Sequence, residues 1–312
     1  MATILRIGTR ESQLAVWQAT QVKELLAQNG YAAELVYIKS DGDIDLKTPL
    51  YEMGVQGIFT KSLDIALLNN TIDIAVHSMK DVPTQLPAGI IQAAVLKRGP
   101  VNDLLVYKGD WSMVNDEWDI AGKPELHIAT SSIRRKAQWL HKFPKHHVHN
   151  LRGNVNTRLR KLQEENWDAA IFAQAGLERI NLRPVNSIEL EWMLPAPAQG
   201  AIMVACRKED SVSTDACNRF DDMETAICTK IERDFLRALL GGCSTPISAL
   251  AIIKNNEIHF RGNILSIDGK QKADFETCWA GIEVGERGKE AANQLLNNGG
   301  QAIANGIRNA AN

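Results

Sequence analysis

No apolar run in this 312-residue chain approaches the ~18 residues that a bilayer-crossing helix needs, so hydropathy excludes a membrane span. Between Met1 and Gly8 there is no basic stretch followed by an apolar one, so no secretory signal is expected and a cytoplasmic location is. Aromatic residues make up only 6% of the chain, and it carries no helix-turn-helix, zinc-finger or RRM pattern, which argues against nucleic acid as a partner. The five cysteines (Cys206, Cys217, Cys228, Cys243 and Cys278) are odd in number and confined to the last third. None forms a C-x-x-C pair, and no histidine stands at zinc-finger spacing from them. Neither a disulfide framework nor a metal site is expected. Cysteine chemistry here is the chemistry of single residues.

What is present is an ordinary globular composition, 45% hydrophobic and 23% charged, with a length that suits two or three domains. The net charge of −2 is unevenly spread. Eleven Lys or Arg against four Asp or Glu fall between Arg134 and Arg183, a local +7 that leaves −9 elsewhere. Such a cluster is either a solvated face or a pocket for small anions.

Short β-like runs alternate with helical ones over the first two hundred residues, the rhythm of an α/β domain with a largely parallel sheet. Ile4–Ile7, Glu34–Ile38 and Ile72–Val76 read as strands. Ser12–Gln28 and Lys61–Leu68 read as helices, the first with Leu14, Trp17, Val22, Leu25 and Leu26 on one stripe. A second unit begins near Asp103, with strands at Leu126–Ala129, Val148–Leu151 and Ala169–Ala173 and helices at Ile133–Lys142 and Val155–Gln163. Pro- and Gly-bearing linkers at Lys97–Asn102 and Leu194–Ala198 bracket this unit, and the strand Ala201–Cys206 is expected to return to the first sheet. The result is a two-lobed clamp with its ligand in the crevice. Helix Glu224–Leu240, strands Ile247–Ile253, Glu257–Ile264 and Asp274–Ala280, and helices Arg287–Asn297 and Gln301–Asn309 suggest a small α+β third domain with an antiparallel sheet.

Both α/β units open on a strand ending in Thr, then Ser near a helix start with Arg close by: Thr9-Arg10-Glu11-Ser12, and Thr130-Ser131-Ser132-Ile133-Arg134-Arg135. These are either two ordinary Ser caps or paired anion sites at helix N-termini. His77 to Pro83 follows an apolar strand, so its polar side chains sit at the strand's C-terminal end. Asp81 beside Lys80 is either a surface ion pair worth little or a carboxylate that stabilises positive charge or moves a proton. Gly241 suits a left-handed helix C-cap, which places Cys243 just past a helix C-terminus. The dipole there disfavours a thiolate, so a nucleophile is a weaker reading than a small buried thiol; a covalent anchor is a third. Arg10, Arg134, Arg135, Arg152, Arg158 and Arg179 offer the planar fork that matches a carboxylate, and Gly153 lets the chain approach a ligand next to Arg152.

Seven ordered phrases carry a family resemblance: Arg6–Ser12 with Trp17-Gln18, His77–Pro83, Thr130–Arg135, Leu151–Arg158, Ala175-Gly176-Leu177, Leu194–Ala201 and Gly241-Gly242-Cys243. The chain resembles the porphobilinogen deaminases, also called hydroxymethylbilane synthases, over nearly its whole length. That resemblance implies an α/β fold of two periplasmic-binding-protein-like lobes with mixed, mainly parallel sheets, plus a small α+β C-terminal domain. The lobes are expected at 1–98 with 200–218 and at 103–194, and the third domain at 222–312. It implies a monomeric transferase of haem and tetrapyrrole biosynthesis that condenses four porphobilinogen molecules head to tail and releases ammonia each time. The cofactor it implies is a dipyrromethane, held on Cys243 through a thioether. Asp81 matches the catalytic carboxylate, and the six arginines match residues that bind acetate and propionate side chains. Ser12, Gln18, Ser78, Lys80, Thr130, Ser132, Gly153, Asn154 and Gln199 match the polar lining.

The chain departs from the pattern in two places. Glu52 and Gln56 stand where many relatives have lysines, and Asn156 and Ala198 stand where glycine is common. The rival readings are a non-catalytic anion receptor with the same lobes, and a regulator with such an effector domain; the latter lacks a helix-turn-helix before the first strand.

Overall fold

The structure, a computed structural model, describes residues 4–39, 60–109, 112–114, 117–119, 123, 125–239 and 245–311. Strand β1 (Leu5–Thr9) runs into α1 (Gln13–Gln28) and β2 (Ala33–Tyr37); α2 (Lys61–Leu68), β3 (Ile74–Ser78) and β4 (Ile90–Val95) follow. The Ser12 hydroxyl caps α1 by accepting from Ala15 N, and Asn29 and then Gly30, at φ +83°, end it. Ala15, Gln18, Ala19, Val22 and Leu26 share the buried face of that helix. Each fully buried Val or Leu there contributes about 1.5–3 kcal/mol. Of the expected stripe, Val22 and Leu26 are buried and Trp17 and Leu25 pack partly buried on the same core, while Leu14 and Trp17 also reach toward the other lobe. A Cβ on Gly176 would stand 3.7 Å from Leu14 Cδ2, and the Arg179 guanidinium lies 5.6 Å from the Trp17 ring centre.

The chain then builds β5 (Asp103–Tyr107), a small hairpin of β6 (Ser112–Val114) and β7 (Glu117–Asp119), β8 (His127–Ala129), α3 (Ile133–Lys142) and β9 (His147–His149). Next come α4 (Val155–Glu164), β10 (Ala169–Ala173), α5 (Gln174–Glu178) and β11 (Ser187–Glu189). Strand β12 (Ile202–Arg207) goes back to the first sheet, beside β3 and β4. The strand expected at Val148–Leu151 ends at His149; Leu151 leaves the sheet and is buried as a loop residue.

The two five-stranded sheets have orders β2-β1-β3-β12-β4 and β11-β5-β10-β8-β9. In each, three parallel strands adjoin one antiparallel strand, β12 or β5, beyond which lies an outer strand. That antiparallel strand is in both cases the one arriving from the other lobe. The two crossovers therefore lie side by side, and Gly99 N donates to Gly200 O at 3.1 Å. Gly200 sits at φ +86°, and a Cβ on it would meet Gly99 O at 2.7 Å and Pro100 O at 2.8 Å. Only glycine fits that crossing.

Beyond β12 come α6 (Ser211–Asn218), α7 (Met223–Leu239), the antiparallel sheet β13 (Ile247–Lys254), β14 (Glu257–Leu265) and β15 (Lys272–Ala280), then α8 (Arg287–Leu295) and α9 (Gln301–Ala311). Strand β14 alternates exposed and buried residues over Glu257–Gly262, and Ile258, Phe260 and Ile264 pack on Ile231 and Phe235 of α7. The fold is the expected α/β pair of mixed sheets with an α+β C-terminal part. Glu52 and Gln56, and Leu240 to Ser244 with Cys243, lie outside the described residues.

Candidate active site

Strand β3 is buried over its first four residues and ends in the 3-10 turn Met79–Asp81, which carries Lys80 and Asp81 to the edge of the cleft. Met79 N donates to Ala201 O of the second crossover, which ties this turn to the hinge. Arg233 of α7 grips the turn from the opposite side, donating to the carbonyls of Met79, Val82 and Pro83 at 3.3, 2.9 and 2.6 Å. Sequence reasoning missed Arg233, because its partners lie some 150 residues away. Asp81 borders a small pocket with Arg10, Gln18, His77 and Ser78. Gln18 Nε2 donates to Ser78 Oγ at 2.9 Å, which docks α1 on the end of β3. Burial, and then Arg10, push the His77 imidazole down to about 3, so it is neutral at pH 7.

The second lobe supplies Arg134 and Arg135 in the first turn of α3, behind Ser132, whose Oγ accepts from Arg135 N. Cations at a helix N-terminus oppose the macrodipole. Asp103, fully buried at the start of β5, offsets that cost. Its Oδ1 accepts from Arg135 Nε and Nη2 at 3.1 and 2.7 Å, and its Oδ2 from Arg134 Nη2 at 2.7 Å. Burial alone would raise this carboxyl; Arg134 and Arg135 overcome it and hold the group far below the usual carboxylate range. Asp103 entered the sequence analysis only as the start of a domain. A lone acid opening the apolar run Asp103–Tyr107, upstream of a basic segment, was the signal that could have found it.

Gln199, 1% exposed in the hinge, completes the network. Its Nε2 donates to Asp103 Oδ1 at 2.9 Å and to Val101 O at 2.7 Å, while Lys80 Nζ donates to its Oε1 at 3.3 Å. Burial, and then the nearby Arg135, push the Lys80 ammonium down to about 8 against the pull of Asp81 and Asp103. One chain of contacts thus runs from the Asp81 turn through the hinge to the two arginines of the other lobe.

Arg152 is buried after β9, and Gly153 follows at φ +116°; a Cβ on it would meet Thr157 Cγ2 at 2.6 Å. Asn154 caps α4 by accepting from Thr157 N at 2.9 Å. Arg158 sits one turn into that helix. Burial, and then Arg135, push its pKa down to about 10, and it also feels Asp81, Arg152 and Arg10, so groups of both lobes surround it. Thr130 is buried, and its Oγ1 accepts from Ser132 N at 3.2 Å. Arg179 belongs to the hinge: Nη2 donates to Gly200 O at 2.6 Å, and burial pushes its pKa down to about 10. Arg160 and Arg183 face solvent, paired with Glu164 and with Glu178 and Glu189. The basic segment is therefore split between a cleft wall and a solvated face.

Two observations mark this cleft as an anion site. The Nε atoms of Arg134 and Arg158 are buried with no hydrogen-bond partner among the described residues. Helices α1, α3 and α4 all begin without an acidic residue in the first turn, although Ser12, Ser132 and Asn154 cap them as ordinary helices.

Residues 5–215 match the family model described as porphobilinogen deaminase, dipyromethane cofactor binding domain, and residues 226–297 match porphobilinogen deaminase, C-terminal domain. The chain belongs to the porphobilinogen deaminase family. It is 40% identical over 304 residues to the porphobilinogen deaminase of Pelobacter propionicus, covering 96% of each chain. It is 41% identical over 308 residues to the chloroplastic porphobilinogen deaminase of Oryza sativa subsp. japonica, covering 94% of this chain and 83% of that one. Among solved structures, a probable amino-acid ABC transporter extracellular-binding protein from Bacillus subtilis aligns at 11% identity and a TM-score of 0.41, over 70% of this chain and 90% of the other. A dipyrromethane is rich in carboxylates, and the buried arginine Nε atoms fit such a group. Among the described residues no helix is long and apolar enough to cross a membrane.

Proposed function

We infer that this chain is a transferase of tetrapyrrole biosynthesis, joining four porphobilinogen molecules head to tail into hydroxymethylbilane with loss of one ammonia per addition. The single observation that carries this is the cleft itself: buried arginines of the second lobe opposite Asp81 of the first, inside a chain of this family. We assign a dipyrromethane primer to a thioether on Cys243; when bound, it supplies the pyrrole carbon that the first substrate joins.

Arg10, Arg134, Arg152 and Arg158 hold acetate and propionate carboxylates, helped by the N-termini of α1, α3 and α4. Arg135 gives all three of its nitrogens to Asp103 and Ile171 O, so its part is to fix the electropositive wall. Arg179 and Gln199 hold the hinge that this wall turns on. Asp81 faces the substrate's aminomethyl group, which is protonated and so leaves as neutral ammonia: its carboxylate steadies the positive charge left on the pyrrole as the carbon–nitrogen bond breaks, and takes up the proton lost from the attacked pyrrole carbon once the new bond has formed. Lys80 neutralises a carboxylate beside it. Ser12, Ser78, Thr130, Ser132 and Asn154 line the cleft, the capping residues keeping helix N–H groups aimed into it.

The protein acts, in this account, as a cytoplasmic monomer on a small-molecule substrate without nucleic acid. In support, Arg134, Arg135 and Arg152 are buried rather than spread on an outer face. The test is direct. Purified protein given porphobilinogen should release ammonia and form a product that acid and oxidation turn into coloured porphyrin. Bound but unconverted porphobilinogen would instead mark an anion receptor.

A further inference from the structure

The outer face of the C-terminal sheet carries a second group of reactive side chains, remote in the chain from the residues of the cleft. Strands β14 and β15 pair antiparallel, with His259 directly opposite Cys278 and Glu257 two residues before His259, so all three side chains leave the same face. Each is exposed. Cys278 Sγ lies 3.6 Å from Glu257 Oε2 and 3.9 Å from His259 Nε2, and those two atoms are 3.8 Å apart.

Sulfur hydrogen bonds account for the two edges that meet at Cys278, but not for the third. The histidine–carboxylate distance is too long for a hydrogen bond, and an exposed pair of that kind contributes little. A tetrahedral metal does account for it. With sulfur at about 2.3 Å and nitrogen or oxygen at about 2.0–2.1 Å from the ion, donors at tetrahedral angles stand about 3.5–3.6 Å apart where sulfur is one of them and about 3.3–3.4 Å apart where it is not. The sulfur–carboxylate edge matches this and the two edges at His259 exceed it by a few tenths of an ångström, within reach of side-chain rotation on a fixed ladder.

We propose that Glu257, His259 and Cys278 form a three-donor surface site for a zinc-class divalent cation, with the fourth position open to water. Thiolate, imidazole and carboxylate together select a borderline metal over calcium or magnesium. Linear spacing hides the site, because its donors come from two strands that only the hairpin register brings together. It lies outside the deaminase chemistry and staples edge strand β15 to β14.

The experiment titrates cobalt(II) into the full-length protein as purified. One equivalent per chain should produce the visible bands of tetrahedral cobalt together with a near-ultraviolet thiolate-to-cobalt band, and zinc should displace both. Cys278→Ser should abolish the thiolate band, and His259→Ala should weaken binding by more than about tenfold. Both positions are exposed, so far-ultraviolet circular dichroism and porphobilinogen turnover should stay unchanged. Cys243→Ser should keep the cobalt bands. Absence of saturable binding, a thiolate band surviving Cys278→Ser, or one metal per two chains would each overturn the proposal.

Discussion

The Asp103 carboxylate takes two hydrogen bonds from the Arg135 guanidinium, at 3.1 and 2.7 Å, with the acid wholly out of solvent. Arg134 takes its other oxygen and Gln199 shares the first, so one buried anion organises a wall of cations and reaches the hinge. Removing it leaves those charges facing one another. Asp103→Asn should destabilise the protein by about 3–5 kcal/mol in denaturant unfolding, since breaking a buried pair strands its partners. The pH dependence has a definite sign. The folded carboxyl titrates far below its unfolded value, so its stabilisation is full above about pH 4 and disappears as acid is added. Wild type and Asp103→Asn should therefore converge in stability at strongly acid pH.

The turn that carries Asp81 is held by backbone contacts at Met79, Val82 and Pro83. Asp81→Asn should leave folding and primer content unchanged while turnover falls by about 10²–10⁴-fold. Near-normal turnover would remove Asp81 from the chemistry.

Arg233 positions that carboxylate through the carbonyls of Met79, Val82 and Pro83. Arg233→Leu should lower kcat by about 10–100-fold, as a slightly misplaced reactive group does, with KM for porphobilinogen little changed. A rise in KM at constant kcat would show that the turn merely shapes the binding wall.

Lys80 gives the reaction a pH edge. Its ammonium is charged below about 8 and neutral above, so kcat/KM should fall as pH rises through that value. Lys80→Arg, which stays charged, should flatten this alkaline limb even if its absolute rate is lower.

Much of this architecture was legible in the chain, and what was not has physical causes. Ile133–Lys142 and Ala169–Ala173 read correctly to the residue, because a Ser cap opens the first and an unbroken apolar run makes the second. Helix Ser211–Asn218 went unread: it is short and polar, and its start depends on the Asp210 side chain accepting from Ser213 N. Periodicity identified α1 and most of its core face, but a 3.6-residue repeat does not show that Leu14 and Trp17 also reach the other lobe. Leu14 and Trp17 meet the second lobe, and Gln13 Oε1 accepts from Asn156 Nδ2 at 3.0 Å, a bond that depends on the amide side chain at position 156. Ala198 adopts φ +62°. Asp81 and most of the arginines were found at the cleft by motif. Asp103, Arg233 and Glu232 were not. Glu232, with no exposure, binds Arg98 at 2.6 and 2.9 Å and accepts from Ala198 N and Ala251 N, joining both crossovers to the third domain. These acids and bases act through partners about 20 to 150 residues away, which no local pattern encodes.

A carboxylate-rich primer tethered to Cys243 within an arginine-lined cleft would leave a mass signature. Intact-mass spectrometry of the purified protein tests it most directly. The mass should exceed that of the sequence by two linked pyrrole rings, and Cys243→Ser should carry no excess. A wild-type protein that turns over porphobilinogen at its bare sequence mass, or a Cys243→Ser variant that keeps the excess, would contradict it.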